Sequence, residues 1–236
     1  LPAIKLINEC CDVINVDSLP IHFDAEVASV CYEALEALDV GRVQLRISNR
    51  KILLGFLAAL DISDVVSVTR AIDKLEKIGA DAVANILGND LSISKDKVSD
   101  ILALAQNTDI TSISALNDEM REGLEELIFV VDNLKHLPKH AVKADLSIVR
   151  GLDYYTGTVY ETQLLDIPEF TGSVCSGGRY DDLAGNYINK HLPGVGISIG
   201  FTRLFDVLKS HGKIKTGKKS PADILVVLPS EETRAL

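Results

Sequence analysis

Apolar residues in the first sixty positions follow two different periods. Residues 10–16 (CCDVINV) are rich in types that suit a strand. From Asp24 to Leu38 the apolar residues Val27, Cys31, Leu35 and Leu38 fall three or four apart, which predicts a helix with one buried stripe. Val43 to Ile47 (VQLRI) reads as a second strand, and Asn49 and Arg50 lead into a helix carrying Ile52, Leu53, Phe56 and Leu57. Strand, helix, strand, helix predicts a mixed α/β layer.

From Ser63 to Leu137 the period is helical throughout. Ser63 is placed to cap a helix with Val65, Val68, Ile72, Leu75 and Ile78 on one side, ended by Gly79. Ser94 is placed to cap another, with Val98, Ile101, Leu102 and Ala105. The longest helix is expected from about Ser114 to Leu137, its stripe built from Leu116, Met120, Leu124, Leu127, Ile128, Val131 and Leu134 and its end set by Pro138. Residues 63–137 are therefore read as a helical insertion of three or more helices.

After Pro138 strand-forming residues return. DLSIVRGLDYYTGTVYETQLL carries Ile148, Val149, Tyr154, Tyr155, Val159 and Tyr160, with Gly157 as a turn between two strands. SVCSGGRYDDL reads as a strand running into a Gly-Gly turn, and PGVGISIGFTRLFDVL as a strand turning into a helix. Lys213 to Pro221 has linker composition, and ADILVVLP from Ala222 reads as the first strand of another unit.

Composition narrows the class. The 236 residues are 47% hydrophobic, enough for a large core. No run of about 18 uncharged apolar residues is present, and the N-terminus lacks a signal-peptide pattern, so a cytoplasmic protein without membrane contact is expected. A formal charge of −10 argues against wrapping nucleic acid by bulk electrostatics. Cys10, Cys11, Cys31 and Cys175 show neither zinc spacing nor a disulfide framework, and are expected to be reduced and mostly buried. His136 and His140 stand four apart, but Pro138 breaks the helical face they would share, so no metal site is expected.

Three runs carry candidate chemistry. In VRGLDYYTGTVYE, Arg150, Asp153 and the pair Tyr154-Tyr155 stand close together; on a strand, Tyr154 and Tyr155 would face opposite sides. A buried arginine needs an anion, which is either a substrate phosphate or carboxylate or, structurally, Asp153. In Gly177-Gly178-Arg179-Tyr180-Asp181 the glycines allow a backbone to approach a ligand, or simply make a turn. In Gly196 to Arg203 (GISIGFTR) a strand meets a helix start with Arg203 in the first turn, placed to reach a polyphosphate or stack on a base, or to lie on the surface.

The order and wording of these runs resemble one family. RGLDYYTG from Arg150 is similar to the first histidine signature of histidyl-tRNA synthetases, SGGRYD from Ser176 to the second, and Gly196 to Arg203 to motif 3 of class II synthetases. The resemblance implies a class II synthetase-like α/β (α+β) fold with a mainly antiparallel sheet, flanking helices and a helical insertion. It divides the chain into a first catalytic part (1–62), the insertion (63–137), a second catalytic part (138–212), and a linker with the first strand of an anticodon-binding domain (213–236). Motifs 1 and 2 are not found, and the chain is read as a fragment of such an enzyme.

The implied activity is ATP-dependent formation of histidyl-adenylate, with Mg2+ accompanying ATP, and transfer to tRNA(His) by a homodimer. Arg150 would face the α-phosphate and the histidine carboxylate. Tyr155 and Asp12 would bracket the imidazole; Tyr154, Gly177, Gly178 and Tyr180 would line the amino-acid pocket; Arg203 would hold the ATP phosphates or the adenine. Two other readings share the fold: an inactive synthetase-like regulatory subunit of ATP phosphoribosyltransferase, and the synthetase-like domain of a kinase that senses uncharged tRNA. The first usually erodes the arginine and tyrosine signature, which is intact here; the second would require a kinase domain upstream, and none is expected.

Overall fold

The computed structural model describes residues 19–149, 154–181, 191–215, 217 and 222–224. Within them one sheet has the strand order β2-β1-β3-β4-β5. Its strands are β1 (Val43–Asn49), β2 (Val142–Ala144), β3 (Thr158–Leu164), β4 (Cys175–Tyr180) and β5 (Gly194–Ile199). β2 runs parallel to β1, and every other neighbouring pair is antiparallel. The mainly antiparallel sheet with flanking helices agrees with the fold class expected from the sequence.

Register gives the sheet two unlike faces, because successive residues of a strand point to opposite sides. One rung runs Ile47, Tyr160, Gly177, Ile197, and this side is buried. Helices α1 (His22–Ala37) and α7 (Asp118–Asn133) pack on it. The next rungs, Arg46, Glu161, Ser176, Ser198 and Ser48, Val159, Gly178, Gly196, lie on the other side.

The helices follow the apolar periodicity, with shifts. In α1 the buried stripe is Ala25, Ala28, Cys31, Tyr32 and Leu35, and the expected Leu38 sits past the last turn, 39% exposed. Helix α2 (Arg50–Ala59) buries Ile52, Leu53, Phe56 and Leu57 as expected; Asn49 caps it, its side chain accepting from the Lys51 N–H at 3.0 Å. The predicted helix from Ser63 divides into α3 (Val65–Ile72) and α4 (Leu75–Ile78), and its cap is Asp64, whose carboxylate accepts from the Ser67 N–H at 3.0 Å. Gly79, at φ +81°, ends it as predicted.

Helices α5 (Ala80–Asn85) and α6 (Lys95–Ala105) flank a wider π-type turn at Ile86–Asp90. α7 starts at Asp118 rather than near Ser114, because the Asn117 side chain accepts from the Met120 N–H at 2.9 Å. Its expected stripe residue Leu116 is left outside, 54% exposed, and beyond Asn133 only turns continue to Pro138.

α2 and α7 approach closely at two glycines. A Cβ on Gly123 would lie 2.8 Å from the Ile52 nitrogen, and one on Gly55 would lie 2.6 Å from the Met120 nitrogen.

Three local expectations are overturned. The stretch Asp145–Val149 is not a strand, since the preceding strand is Val142–Ala144; Gly157 therefore precedes β3 instead of turning a hairpin. Gly177 and Gly178 lie inside β4 rather than in a turn. Tyr154 and Tyr155 lie in a turn and a loop, and their rings are in contact with centroids 4.2 Å apart, so strand alternation does not separate them. The strand expected at residues 10–16 lies outside the described residues, as does most of the one expected from Ala222.

Candidate active site

Glycine spacing clears one face of the sheet at β4 and β5. Gly178, Gly194 and Gly196 alternate with side chains that point to the core, so no Cβ rises from these positions on the other face. Aromatic rings occupy the cleared space. A Cβ on Gly178 would lie 2.8 Å from Cδ1 of Tyr155, and one on Gly194 would lie 2.5 Å from Cε2 of Tyr180. Ser176 and Ser198, on the same face, are exposed to solvent, and Tyr154 at the rim is 46% exposed. The result is a floor whose glycine end is covered by the Tyr155 and Tyr180 rings and whose serine end is open to solvent, with phenol and serine hydroxyls along it as hydrogen-bond donors and acceptors.

Gly177 falls on the core side of β4, in register with Tyr160 and Ile197. It is glycine for another reason: a Cβ there would lie 2.0 Å from the Gly196 carbonyl oxygen. Its contribution to the floor is backbone alone.

Burial pushes the Tyr155 hydroxyl well above the usual phenol range, and the neighbouring Tyr154 and then Tyr180 push it the same way. Tyr155 is a neutral phenol at physiological pH, able both to donate and to accept a hydrogen bond.

Beneath the floor lies a buried ion pair. Arg179 donates from Nη2 to Oδ1 of Asp24 at 2.6 Å and from Nε to Oδ2 at 3.2 Å; the side chains are 8% and 0% exposed. Nη1 also donates to the Leu19 carbonyl at 2.9 Å, and the Thr158 hydroxyl donates to Asp24 at 2.5 Å. Burial pushes the Asp24 carboxyl up, opposed by the hydrogen bond and charge of Arg179. Arg179 is thus consumed by structure, which ties the start of α1 to the end of β4.

Arg203 stands in the first turn of α8 (Phe201–Ser210), exposed, with Nη1 donating to the Ser173 carbonyl at 2.9 Å. Ser173 precedes β4, Tyr155 sits on Gly178 and Tyr180 ends the strand, so the anchor of Arg203 lies roughly 16–23 Å along the backbone from the tyrosine positions at about 3.3 Å per residue.

The structure therefore brings Tyr154, Tyr155, Gly178 and Tyr180 together and sets Arg203 apart along the same floor. Arg150 and Asp12 lie outside the described residues. Sequence reasoning missed the part played by Gly194 and Gly196, whose two-residue spacing on a strand was the available signal. It also named Arg179 and Asp181 without a role, since their partners Asp24 and Thr156 are 155 and 25 residues away.

Cys31 and Cys175 are free, buried thiols, as expected, with sulfurs 3.0 Å apart; hydrogen bonding between them and burial push Cys31 well above its ordinary range. His136 is bonded to the Asn133 carbonyl and the Ser29 hydroxyl. The described residues gather no three His, Cys, Asp or Glu side chains able to hold a metal. No helix among them is long and apolar enough to cross a membrane.

A mainly antiparallel sheet of this kind with flanking helices is the fold of class II aminoacyl-tRNA synthetases, and the chain has that fold. The sequence profile described as histidyl-tRNA synthetase matches residues 7–204, and the chain belongs to that family. It is 50% identical over 232 residues to the histidine–tRNA ligase of Thermobifida fusca (strain YX), covering 95% of this chain and 53% of the relative. It is 44% identical to that of Clostridium tetani (strain Massachusetts / E88), covering 94% and 52%. The crystal structure of histidyl-tRNA synthetase from Nostoc sp. PCC 7120 superposes with a TM-score of 0.79 at 35% identity, over 92% of this chain and 54% of that one. An ATP phosphoribosyltransferase regulatory subunit/histidyl-tRNA synthetase from Bacillus halodurans C shares the fold, with a TM-score of 0.68 at 19% identity over 83% and 51% of the two chains. The chain spans about half the length of the curated relatives it matches.

Proposed function

We propose that this chain is the part of a histidine–tRNA ligase that binds histidine and part of ATP, in an enzyme that forms histidyl-adenylate and passes the acyl group to tRNA(His). The observation that carries the reading is the seat of Tyr155 on Gly178, which joins the two histidine signatures at one point on the cleared face. Tyr155 and Asp12 bracket the imidazole, each offering a partner to one ring nitrogen, which is how a site tells this ring from other side chains. Tyr154, Gly178, Tyr180 and the backbone of Gly177 line the pocket.

Arg150 faces the histidine carboxylate and the α-phosphate and stabilises the charge that builds as the carboxylate attacks phosphorus. Arg203, at the far end of β4, takes the other phosphates or the adenine. That separation suits a nucleotide laid along the strand from an amino acid at the tyrosine end. Magnesium accompanies ATP in this chemistry and would help neutralise its phosphates.

The same reading assigns residues 1–62 and 138–212 to the catalytic domain, 63–137 to a helical insertion, and 213–236 to a linker and the start of an anticodon-binding domain. It also makes the enzyme a cytoplasmic homodimer. The inactive regulatory-subunit reading shares the fold, and the intact RGLDYYTG and SGGRYD runs favour the enzyme. ATP–pyrophosphate exchange by the full-length gene product, assayed with each amino acid in turn, tests the proposal. Exchange with histidine alone is expected; its absence overturns the reading and leaves the regulatory one.

A further inference from the structure

Tyr155 sits in a loop, yet a residue that reads a substrate ring has to be held to within a fraction of an ångström. Its backbone and side-chain surroundings show what holds it. The next residue, Thr156, donates its backbone N–H to the Arg179 carbonyl at 2.8 Å. The Thr156 hydroxyl donates to Oδ2 of Asp181 at 2.5 Å. The other oxygen of Asp181 faces Nη1 of Arg179 at 3.6 Å, and Arg179 is itself clamped by Asp24 and the Leu19 and Pro20 carbonyls. Gly157, the following residue, leaves room for the Arg179 stem, since a Cβ there would lie 3.0 Å from Cδ.

We infer that Thr156 and Asp181 form a latch that positions Tyr155 for histidine, with Arg179 as its buried anchor. Two residues of the second signature therefore serve the first one. The short, charge-assisted bond from Thr156 to Asp181 stops the loop from swinging off β4, and the Tyr155 ring is kept on Gly178, where no Cβ competes for the space. Asp24, Arg179, Asp181 and Thr156 are positioning residues, and none needs to touch substrate. The inference rests on the histidine-pocket reading for its effect on substrate, but not for its effect on Tyr155.

Thr156→Val keeps the shape of the side chain and removes the hydroxyl; Thr156→Ser restores it. In histidine-dependent pyrophosphate exchange by the full-length gene product, Thr156→Val should raise KM for histidine roughly tenfold, the size expected for losing a hydrogen bond to a charged group. The turnover number and KM for ATP should stay within about twofold, and Thr156→Ser should return KM for histidine to the parental value. An unchanged KM for histidine, or an equal rise in both KM values together with a lower Tm, would show a merely structural threonine and overturn the latch. Crystal structures of the parent and of Thr156→Val decide the same point without substrate: Tyr155 should leave Gly178 in the variant, and a ring still seated there overturns the inference. A parent protein with no histidine-dependent exchange would sink the proposed function alone, and the crystallographic comparison would still decide the latch.

Discussion

Removing the Asp24 carboxylate should be the most costly single change beneath the floor. Asp24→Ala takes away two hydrogen bonds to Arg179, at 2.6 and 3.2 Å, and leaves a guanidinium whose side chain is 8% exposed. Attraction between unit charges about 4 Å apart is about 4 kcal/mol at the effective dielectric of a partly buried site. Asp181, 3.6 Å from Nη1, offsets part of that loss, and the Leu19 and Pro20 carbonyls still accept from the guanidinium. The cost should therefore fall near the lower end of the range for breaking a buried pair, about 3 kcal/mol.

In a protein of this size that corresponds to a fall in Tm of roughly 6–12 °C. Replacing both partners, as Asp24→Ala with Arg179→Met, removes the stranded charge and should be less destabilising than Asp24→Ala alone by about 1–2 kcal/mol. Urea unfolding of the parent, the two single variants and the double variant measures the cycle. A loss below about 1 kcal/mol for Asp24→Ala, or a double variant that equals the sum of the singles, would refute the claim that this pair anchors the end of β4.

Three further outcomes are expected. Asp145 is held below the ordinary carboxylate range: burial pushes it up, but the Ser147 hydrogen bond, then Lys143 and Arg46, outweigh that. A carboxyl lowered on folding contributes stability above its unfolded value near 3.9 and loses it as pH falls through the folded value. Asp145→Asn should therefore lower Tm at pH 7, and the gap to the parent should close in melts run below about pH 4. Gly123→Ala would press a methyl against the Ile52 backbone at 2.8 Å and should cost about 1–3 kcal/mol by urea unfolding; a neutral result would mean α2 and α7 can separate freely. Gly178→Ala would press a methyl against the Thr158 carbonyl oxygen at 2.7 Å and the Tyr155 ring at 2.8 Å, and should raise KM for histidine roughly tenfold to a hundredfold in pyrophosphate exchange, with KM for ATP less affected; an equal rise in both would count against a histidine seat at this point.

The strand and helix grammar was legible because it depends on local period. Five of the seven residues of β1, the buried face of α2 and the end of α4 at Gly79 follow from spacing and backbone preference, while Ser48 and Asn49 extend the strand beyond the stretch read from sequence. The signature runs were legible as wording, and two comparisons, with the family profile and with a solved structure, agree with the membership they implied.

Spacing alone did not show that Gly177 and Gly178 lie within a strand, because a glycine pair serves a turn and a close strand crossing equally well. Only the pairing of β4 with its neighbours distinguishes the two: the Gly196 carbonyl leaves no space for a Cβ at position 177, and the Thr158 carbonyl and the Tyr155 ring leave none at 178. The partners of Arg179 were equally out of reach, since a guanidinium takes whatever carboxylate the fold delivers, and Asp24 arrives from 155 residues away on α1. Local chemistry determined which residues could act, but not that Tyr154 and Tyr155 ride on a turn and loop and Gly177 and Gly178 on a strand. Tertiary packing decided which face each one sees, which arginine is consumed as an anchor, and which tyrosine is left on the cleared face, because those outcomes depend on contacts between segments far apart in the chain.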